Sequence, residues 1–393
     1  MLVTNLRFAR LIPLAAAMIV AVAISAAAQD TADSRGGAMQ LLRRARVAMQ
    51  TGDAAAGKNL VQAALAFSQQ AKDSLVEGWG QQLAGELAFI AGDEAAATKA
   101  FTAALAAFTQ AKDTAGAAGS RVNLGRLQLA AGRPQDALVH FQAAQETYAK
   151  LNRQADSAGA LTDLAAAQRA LNRPTEAIEA LQKAMEIYGK DALAQSPAQL
   201  ETLLSLGTCL VEQGKHEEAQ KPLTEAVALA RQVGDKVAEA DAHAALGTVW
   251  QRGGKGEAAQ EAYKAALAIY ASTANAAREA DVRNNLGALA QEQGQLPQAT
   301  TELTKALQLY TQVKNDAGAA RALCNLGLVQ ETEGKTAGAA SSYEKALALR
   351  QKINDLPGSA KLLDNLASLL AAQGNAAKAK QYQAEAERLR KSK

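Results

Sequence analysis

Three short stretches carry residue types that enzymes use. "HEEAQ" at 216–220 has the histidine and glutamate of a zinc-protease HExxH helix, but a glutamine stands where the second histidine ligand belongs. "SYEK" at 342–345 has the Ser-x-x-Lys spacing of a nucleophilic serine, without the companion Ser-Asp-Asn and Lys-Thr-Gly motifs. "RGGKGE" at 252–257 is glycine-rich but lacks the GxxxxGK[ST] spacing of a phosphate loop. None completes a catalytic constellation, so the sequence predicts no enzyme.

Histidine and cysteine are too sparse to suggest a metal or cofactor site. The three histidines, His140, His216 and His243, lie far apart in the sequence and show no ligand spacing. Cys209 and Cys324 are also distant from each other, and we expect both to remain thiols, with Cys209 packed in the core. The sequence therefore predicts neither a metal nor a cofactor.

The first 28 residues have the pattern of a secretory signal peptide. Arg7 and Arg10 precede an apolar run that begins at Leu11, and small residues at Ala26 and Ala28 indicate cleavage after Ala28. We expect export to the periplasm or the medium, without stable membrane insertion of the mature chain. Because the segment has two arginines and no acidic residue, its removal lowers the formal net charge from +3 to +1, which argues against nucleic-acid binding. The alternative is an uncleaved anchor, since the apolar run is almost long enough to cross a bilayer.

A period of about 40 residues runs through the rest of the chain. Leucines followed by a small residue recur at spacings of 40 or 42 residues, and we call them the register leucines: Leu124, Leu164, Leu206, Leu246, Leu286, Leu326 and Leu366. Eight residues after most of them a glycine predicts a turn, and Asn172 takes its place once. The pattern indicates about nine repeats of two amphipathic helices, with the first and last degenerate.

In each repeat, two alanines flank a large residue on one face of the second helix. The spacing of four and then three residues places them together, as in Ala299, Leu303 and Ala306. On the first helix, a glycine or alanine follows the register leucine, as at Gly287 and Gly327. Because glycine weakens a helix interior by about 1 kcal/mol relative to alanine, we expect another backbone to come close at this position.

The leucine–glycine pair, the two alanines and the large residue between them resemble the tetratricopeptide (TPR) repeat over nearly the whole mature chain. The longer period is similar to that of the extended repeats of kinesin light chains, as is Pro222 inside a second helix. The resemblance implies an all-α fold, a right-handed α-solenoid (superhelix) of stacked antiparallel helix pairs. We assign 29–37 to a short linker and 38–393 to a single solenoid of about nine repeats, whose end repeats act as caps.

Local signals agree with this fold. Pro134, Pro174 and Pro297 follow predicted turns, where a proline is tolerated in the first turn of a helix. Aspartates precede several predicted first helices and are expected to cap them: Asp113, Asp156, Asp235, Asp316 and Asp355. Since aromatic residues make up only 4% of the chain, alanine and leucine must form most of the core.

Without a reactive constellation, function is expected to depend on surface shape, because an array of this length offers a long groove to a protein segment. In extended TPR proteins the residue before the register leucine hydrogen-bonds the backbone of a bound segment, and the resemblance implies this role for Asn123, Asn285, Asn325 and Asn365. Five residues before the last two register leucines stand Arg321 and Lys361, whose charge favours an acidic segment. We therefore expect a non-enzymatic exported scaffold that binds a protein partner.

The alternative function is a periplasmic module that binds a ligand or a cell-wall polymer. Glycan sites usually present exposed aromatic rings, and Trp79 and Trp250 are the only tryptophans. This scarcity favours the protein-binding scaffold. Capture of a recurrent protein partner from the exported fraction would support the scaffold, whereas recovery with glycan alone would support the polymer-binding module.

N-terminal sequencing of the exported protein is expected to begin at Gln29, because a signal peptidase cleaves after the small-x-small pattern that ends at Ala28. The measurement is mass spectrometry of the N-terminal peptide of protein purified from the exported fraction. A product that starts at Met1 and is extracted only with detergent would contradict cleavage and support the anchor.

Overall fold

The computed structural model describes residues 35–189 and 195–391, and these ranges contain helices and short turns but no strand. The predicted signal peptide and its cleavage site lie outside the described residues. The first described helix begins at Arg35, slightly before the predicted start of the solenoid. The chain divides into two compact units between Cys209 and Leu210, and each is described by itself. The expectation of a single solenoid over 38–393 stays a prediction.

The N-terminal unit contains eight complete helices and most of a ninth. They are α1 (Arg35–Gln50), α2 (Ala54–Ala71), α3 (Ser74–Ile90), α4 (Glu94–Gln110), α5 (Thr114–Ala130), α6 (Pro134–Lys150), α7 (Gln154–Ala170), α8 (Pro174–Tyr188) and α9 (Pro197–Glu212). From α1 to α8, each helix packs against the next along the chain. The odd-numbered helices α1, α3, α5 and α7 also touch one another in order.

The C-terminal unit repeats this arrangement. Its helices are α10 (His216–Val233), α11 (Lys236–Arg252), α12 (Gly256–Ser272), α13 (Ala276–Glu292), α14 (Leu296–Gln312), α15 (Asp316–Thr332), α16 (Thr336–Lys352), α17 (Leu356–Ala372) and α18 (Ala376–Lys391). Each packs against the next, and the first helices of successive pairs, α11, α13 and α15, are in direct contact. The result is an all-α solenoid of stacked antiparallel helix pairs. The side that the first helices line is called the first-helix surface below.

Apart from the longer connection between Tyr188 and Pro197, turns of two or three residues join the helices, and a residue with left-handed backbone reverses the chain in them. Within a pair this residue is a glycine, such as Gly334 with φ of 72°, or Asn172 with φ of 58°. Between pairs it is mostly not glycine: Lys72, Lys112, Asn152, Ala274, Lys314 and Asn354 have positive φ. The turn glycines predicted from the sequence are thereby confirmed, whereas the second set of turns gave no glycine signal.

Three of the five predicted helix caps are confirmed: Asp113, Asp235 and Asp355. In each, a carboxylate oxygen accepts a hydrogen bond from a backbone N–H of the first turn. The other two predictions are wrong by one to three residues. Asn315 caps α15, and Asp316 is its first residue; Asp156 lies in the first turn of α7 and pairs with Arg153 at 2.6 Å. Both carboxylates still lie in the first turn of their helix, where the positive end of the helix dipole stabilises a negative charge.

The predicted face of two alanines and one large residue is confirmed as the core. Ala299, Leu303 and Ala306 are all 0% exposed, and so is Tyr343 in the next pair. Alanine on both sides of a large side chain lets the helices approach closely while the large residue fills the remaining space. In the last pair the large residue is replaced by Gln383, which is exposed.

The glycine after the register leucine faces this large side chain rather than another backbone. A Cβ atom at Gly327 would lie 2.4 Å from Cε1 of Tyr343, and one at Gly247 would lie 2.5 Å from Cε1 of Tyr263. These separations are far below van der Waals contact, so only a glycine accepts the ring without a shift. The expectation of a backbone contact is therefore wrong at Gly247 and Gly327, where the ring of the second helix occupies the space of a Cβ, whereas at Gly287 a backbone carbonyl oxygen also lies 3.3 Å from that position.

We expect Gly327→Ala to lower the free energy of unfolding by about 1 to 3 kcal/mol, because the new methyl group overpacks the contact with Tyr343. Gly159→Ala is the matched control, since nothing lies within 4 Å of a Cβ at this position in α7. Removing a helical glycine there should stabilise the protein by about 0.5 to 1 kcal/mol. Urea denaturation followed by circular dichroism measures both. Stabilisation by both substitutions would contradict the steric role of Gly327.

Candidate functional site

The asparagines that the sequence singles out lie at equivalent places on the first helices. Asn285, Asn325 and Asn365 stand on α13, α15 and α17 of the C-terminal unit, and Asn123 stands on α5 of the N-terminal unit. All four are partly exposed, and each precedes a buried register leucine. The core leucine thus fixes the side of the helix on which the asparagine lies. Their role in binding stays a prediction.

The asparagines differ in how they are hydrogen-bonded. The Asn325 amide donates to Oδ1 of Asn284 on the preceding first helix at 3.1 Å, and Asn284 is only 4% exposed. Asn285 lies near the Tyr263 hydroxyl, whose hydrogen bonds go to Gln251 and Thr248. The Asn365 side chain has no hydrogen bond to any described residue. A side-chain amide has two N–H donors and one carbonyl acceptor, so Asn325 keeps capacity for a ligand and Asn365 keeps all of it.

The two basic residues are also unequal. Arg321 donates from Nη2 to Oδ1 of Asp281 at 2.9 Å and to the Tyr310 hydroxyl at 3.2 Å, and its guanidinium lies 5.8 Å from the centre of the Tyr310 ring. Lys361, on α17, is exposed and forms no ion pair with any described residue. Arg321 is therefore held in place and partly neutralised within the chain, whereas the ammonium charge of Lys361 is available.

Tyrosine hydroxyls on the second helices donate to side chains of the first helices, from Tyr310 near the end of α14 and from Tyr263 in the middle of α12. The Tyr310 hydroxyl donates to Oδ1 of Asp281 at 2.7 Å. Burial, together with the adjacent Asp281 carboxylate, raises the pKa of Tyr310 well above its ordinary value. Burial likewise raises the pKa of Tyr263 to about 12. Both phenols stay protonated at neutral pH, so their hydroxyls continue to donate.

The first-helix surface of the N-terminal unit contains buried ion pairs that sequence reasoning missed. Arg126 on α5 and Asp163 on α7 form a bidentate pair, with both N–O distances 2.9 Å and side-chain exposures of 17% and 9%. Arg46 on α1 lies 3.5 Å from Glu86 on α3, whose side chain is 2% exposed. The available signal was a charged residue two positions after the register leucine, but a single sequence does not show that such residues pair.

Polar contacts of this kind join consecutive first helices in both units. Thr162 and Thr202 share a hydrogen bond of 2.8 Å, and Ser120 donates to Gln82 at 3.2 Å. The partners lie 37 to 41 residues apart, which is one repeat. We call these contacts the polar ladder. Because its members bond to one another across the repeats, the ladder fixes neighbouring first helices relative to each other within each unit.

In the structure, the three enzyme-like stretches belong to the core, to the start of a helix and to a turn. Tyr343 of "SYEK" is a core residue, and its neighbour Ser342 donates to Gln330 at 2.7 Å. His216 begins α10, and Gly254 of "RGGKGE" is the left-handed residue of a turn. Over 35–189 and 195–391, no group of three His, Cys, Asp or Glu side chains could hold a metal ion. Within the same ranges, none of the helices combines the length and apolarity needed to cross a bilayer.

Glu86 should make folding stability depend on pH. Burial raises its pKa above the ordinary value of 4.5, and the Arg46 and Arg126 guanidinium groups only partly offset this effect. A carboxyl group with a raised folded-state pKa contributes stability that is complete below its unfolded pKa and is lost as pH rises through the folded pKa. Above pH 4.5 the wild-type protein therefore loses stability that a neutral side chain at this position would retain.

We expect Glu86→Gln to reduce the fall in the free energy of unfolding between pH 4.5 and neutral pH, measured by urea denaturation across that range. Glu344→Gln, which changes an exposed carboxylate on α16, is the control and should keep the wild-type pH profile. Identical profiles for Glu86→Gln and wild type would contradict the raised pKa.

Known structures share this architecture at low sequence identity. The apo form of RapI superposes with a TM-score of 0.68 at 11% identity, covering 90% of this chain and 97% of that one. The apo form of the quorum sensor NprR from B. thuringiensis gives 0.63 at 15% identity, covering 89% and 97%. A Rap protein complexed with Competence and Sporulation Factor gives 0.56 at 14% identity, covering 90% and 98%. At these identities the likeness concerns the fold alone.

Sequence comparison identifies the repeat itself. No curated protein matches the chain significantly. The expected similarity to kinesin light chains in particular stays a prediction. A family model described as the tetratricopeptide repeat, however, matches 113–190, 156–232, 198–272 and 278–352, which together make up more than half of the chain. Together with the stacked helix pairs and the glycine-to-ring contacts, this match shows that the chain belongs to the tetratricopeptide repeat family.

Proposed function

We propose that the protein is a non-enzymatic exported scaffold that binds an extended, acidic segment of a partner protein along the first-helix surface of the C-terminal unit. The observation that carries the proposal is the row of Asn285, Asn325 and Asn365 on successive first helices, with unused amide capacity at two of them. An extended segment repeats its backbone donors and acceptors along its length. A row of side-chain amides can therefore bind it without reading its sequence.

The charge of the surface supports an acidic partner at its C-terminal end. Lys361 is exposed and has no ion pair among the described residues, and Arg321 remains half exposed beside Asp281. Further towards the N-terminus, the equivalent position, five residues before the register leucine, is occupied by Asp241 and Asp281. An acidic segment is therefore attracted to α15 and α17 and repelled from α11.

The structural likeness supports a binding role of some kind. One protein of similar fold, the Rap protein, was solved complexed with Competence and Sporulation Factor. The chain carries no complete catalytic constellation in its sequence, and its serine and histidine motifs serve the core and the helix ends. A surface that binds without reacting is the simplest function compatible with these features.

The polymer-binding alternative is less well supported, because neither tryptophan forms an open stacking platform. The Trp79 ring packs edge-on against Phe108 with ring centres 5.1 Å apart and an angle of 79°. Trp250 packs against the core cluster around Tyr263. Both are partly buried. Export is proposed on the N-terminal pattern alone.

The test uses the mature chain from Gln29 as bait for the exported fraction, with captured proteins identified by mass spectrometry. For a captured partner, calorimetry compares wild type with the triple variant Asn285→Ala, Asn325→Ala and Asn365→Ala. We expect a loss of several kcal/mol in binding free energy, at about 0.5 to 1.5 kcal/mol per hydrogen bond. Asn365→Ala alone breaks no hydrogen bond within the described chain and should already weaken binding.

The matched control replaces three exposed amides on second helices: Gln308→Ala, Gln351→Ala and Gln381→Ala. This variant should bind the partner as wild type does, and circular dichroism should show that both triple variants are folded. Full affinity in the asparagine variant would eliminate the asparagine row as the binding site.

A further inference from the structure

A cluster of three positions recurs in the C-terminal unit. Two of the positions lie on successive first helices, each five residues before the register leucine of its helix. The third lies between them in sequence, in the last turn of the intervening second helix. In the first cluster these are Asp241, Tyr270 and Asp281. The Tyr270 hydroxyl donates to Oδ1 of Asp241 at 2.6 Å, and Arg278 lies 3.6 Å from the same oxygen. This cluster is acidic.

The second cluster, one repeat further, is neutral. It contains Asp281, Tyr310 and Arg321, which contact one another directly. The three distances, 2.7, 2.9 and 3.2 Å, show that these positions converge on one point of the first-helix surface. One carboxylate, one phenol and one guanidinium satisfy each other there.

The third cluster contains only cations. One repeat further, the same three positions are Arg321, Arg350 and Lys361. We call it the basic node. Arginine has replaced the tyrosine of the two preceding clusters, and neither of the other positions supplies a carboxylate. Three like charges at these positions favour the binding of an anion.

The carboxylates of the chain do not complete the node. Asp281 engages Arg321, and Asp355, the cap of α17, pairs with Nη1 of Arg350. The Nε atom of Arg350 is nevertheless buried without a hydrogen-bond partner. Lys361 has no ion pair with any described residue. A buried donor without an acceptor is costly, and the exposed Lys361 stands on α17, the helix whose first turn Arg350 contacts.

The half-buried Cys324 locates the node on α15. Burial raises the pKa of its thiol, and the nearby Arg350 and Lys361 charges oppose that rise. The geometry agrees, because Arg350 on α16 reaches the first turn of α17, where it pairs with Asp355 and its Nη1 atom lies against Gly358, one helical turn before Lys361. Asn325, the next residue, stands beside this point on the proposed binding row.

We infer that the basic node binds a carboxylate side chain of the partner segment. This inference rests on the proposed function and deepens it, because it assigns one acidic residue of the partner to Arg350 and Lys361. The chain already shows the geometry in the second cluster, where the Asp281 carboxylate accepts from Arg321 and from the Tyr310 hydroxyl. In the third cluster the partner supplies the carboxylate that the chain lacks.

The test uses an octaglutamate peptide with an acetylated N-terminus and an amidated C-terminus, so that only side-chain carboxylates are charged. Fluorescence anisotropy at low salt measures its affinity for the mature protein, with octaglutamine as the uncharged probe. Lys361→Gln and Arg350→Tyr, the second of which restores the residue of the preceding clusters, should each weaken octaglutamate binding about fivefold. Lys345→Gln makes the same charge change at an exposed position of α16 and should stay within about twofold of wild type.

A second readout needs no ligand. Lys361→Asp replaces one cation of the node by a carboxylate and should raise the melting temperature, while Lys345→Asp should not. Equal losses of octaglutamate affinity in Lys361→Gln and Lys345→Gln, absence of octaglutamate binding, or a lower melting temperature in Lys361→Asp would each overturn the inference. The asparagine variant leaves the node intact, so failure of the asparagine row and failure of the node are separate results.

Discussion

The contact between a bare glycine on the first helix and a large side chain on the second sets the geometry of the helix pairs. At Gly327 a methyl group would come within 2.4 Å of the Tyr343 ring, so the two helices are held at a separation that only this pairing allows. In a solenoid each pair contacts its neighbours alone. No distant part of the chain can therefore compensate for an error in this contact, and its recurrence, against an aromatic ring in most of these pairs and against Leu303 in one, gives their first helices the same rotation about the helix axis.

That fixed rotation explains the polar ladder. When successive first helices share one orientation, residues about 40 positions apart occupy equivalent places on neighbouring helices. Their side chains can then contact each other. Arg126 and Asp163 in the N-terminal unit and Asn284 and Asn325 in the C-terminal unit are such meetings. The core thus specifies the surface: the large residue packed on one side of the helix determines which polar groups can form pairs on the other.

Periodicity was enough to predict the helical class, the core columns and the turns within pairs, because each depends on residues close in sequence. The cap at Asn315 was missed because Asn315 and Asp316 are adjacent and both suit the end of a helix. The partner of Arg321 was missed for a different reason. The repeat position of a residue shows that it faces outward. Its pairing depends on the rotation of the next helix, which follows from the contact between the glycine and the large side chain. The glycine was recognised and its partner was misidentified, so the polar pairing could not be derived.

A solenoid with interchangeable helix pairs can change length in whole repeats, and recombination between repeats is the genetic event that does so. Loss of residues 321–360 would join Ala320 to Lys361 and leave the Gly–aromatic contacts of the other pairs intact. Lys361 would then take the place of Arg321 beside Asp281 and Tyr310, so the fold would survive while the basic node vanished. Duplication of the same stretch would add a second cluster of cations. In this architecture an inherited change of one repeat alters the charge pattern offered to a partner without requiring a new core.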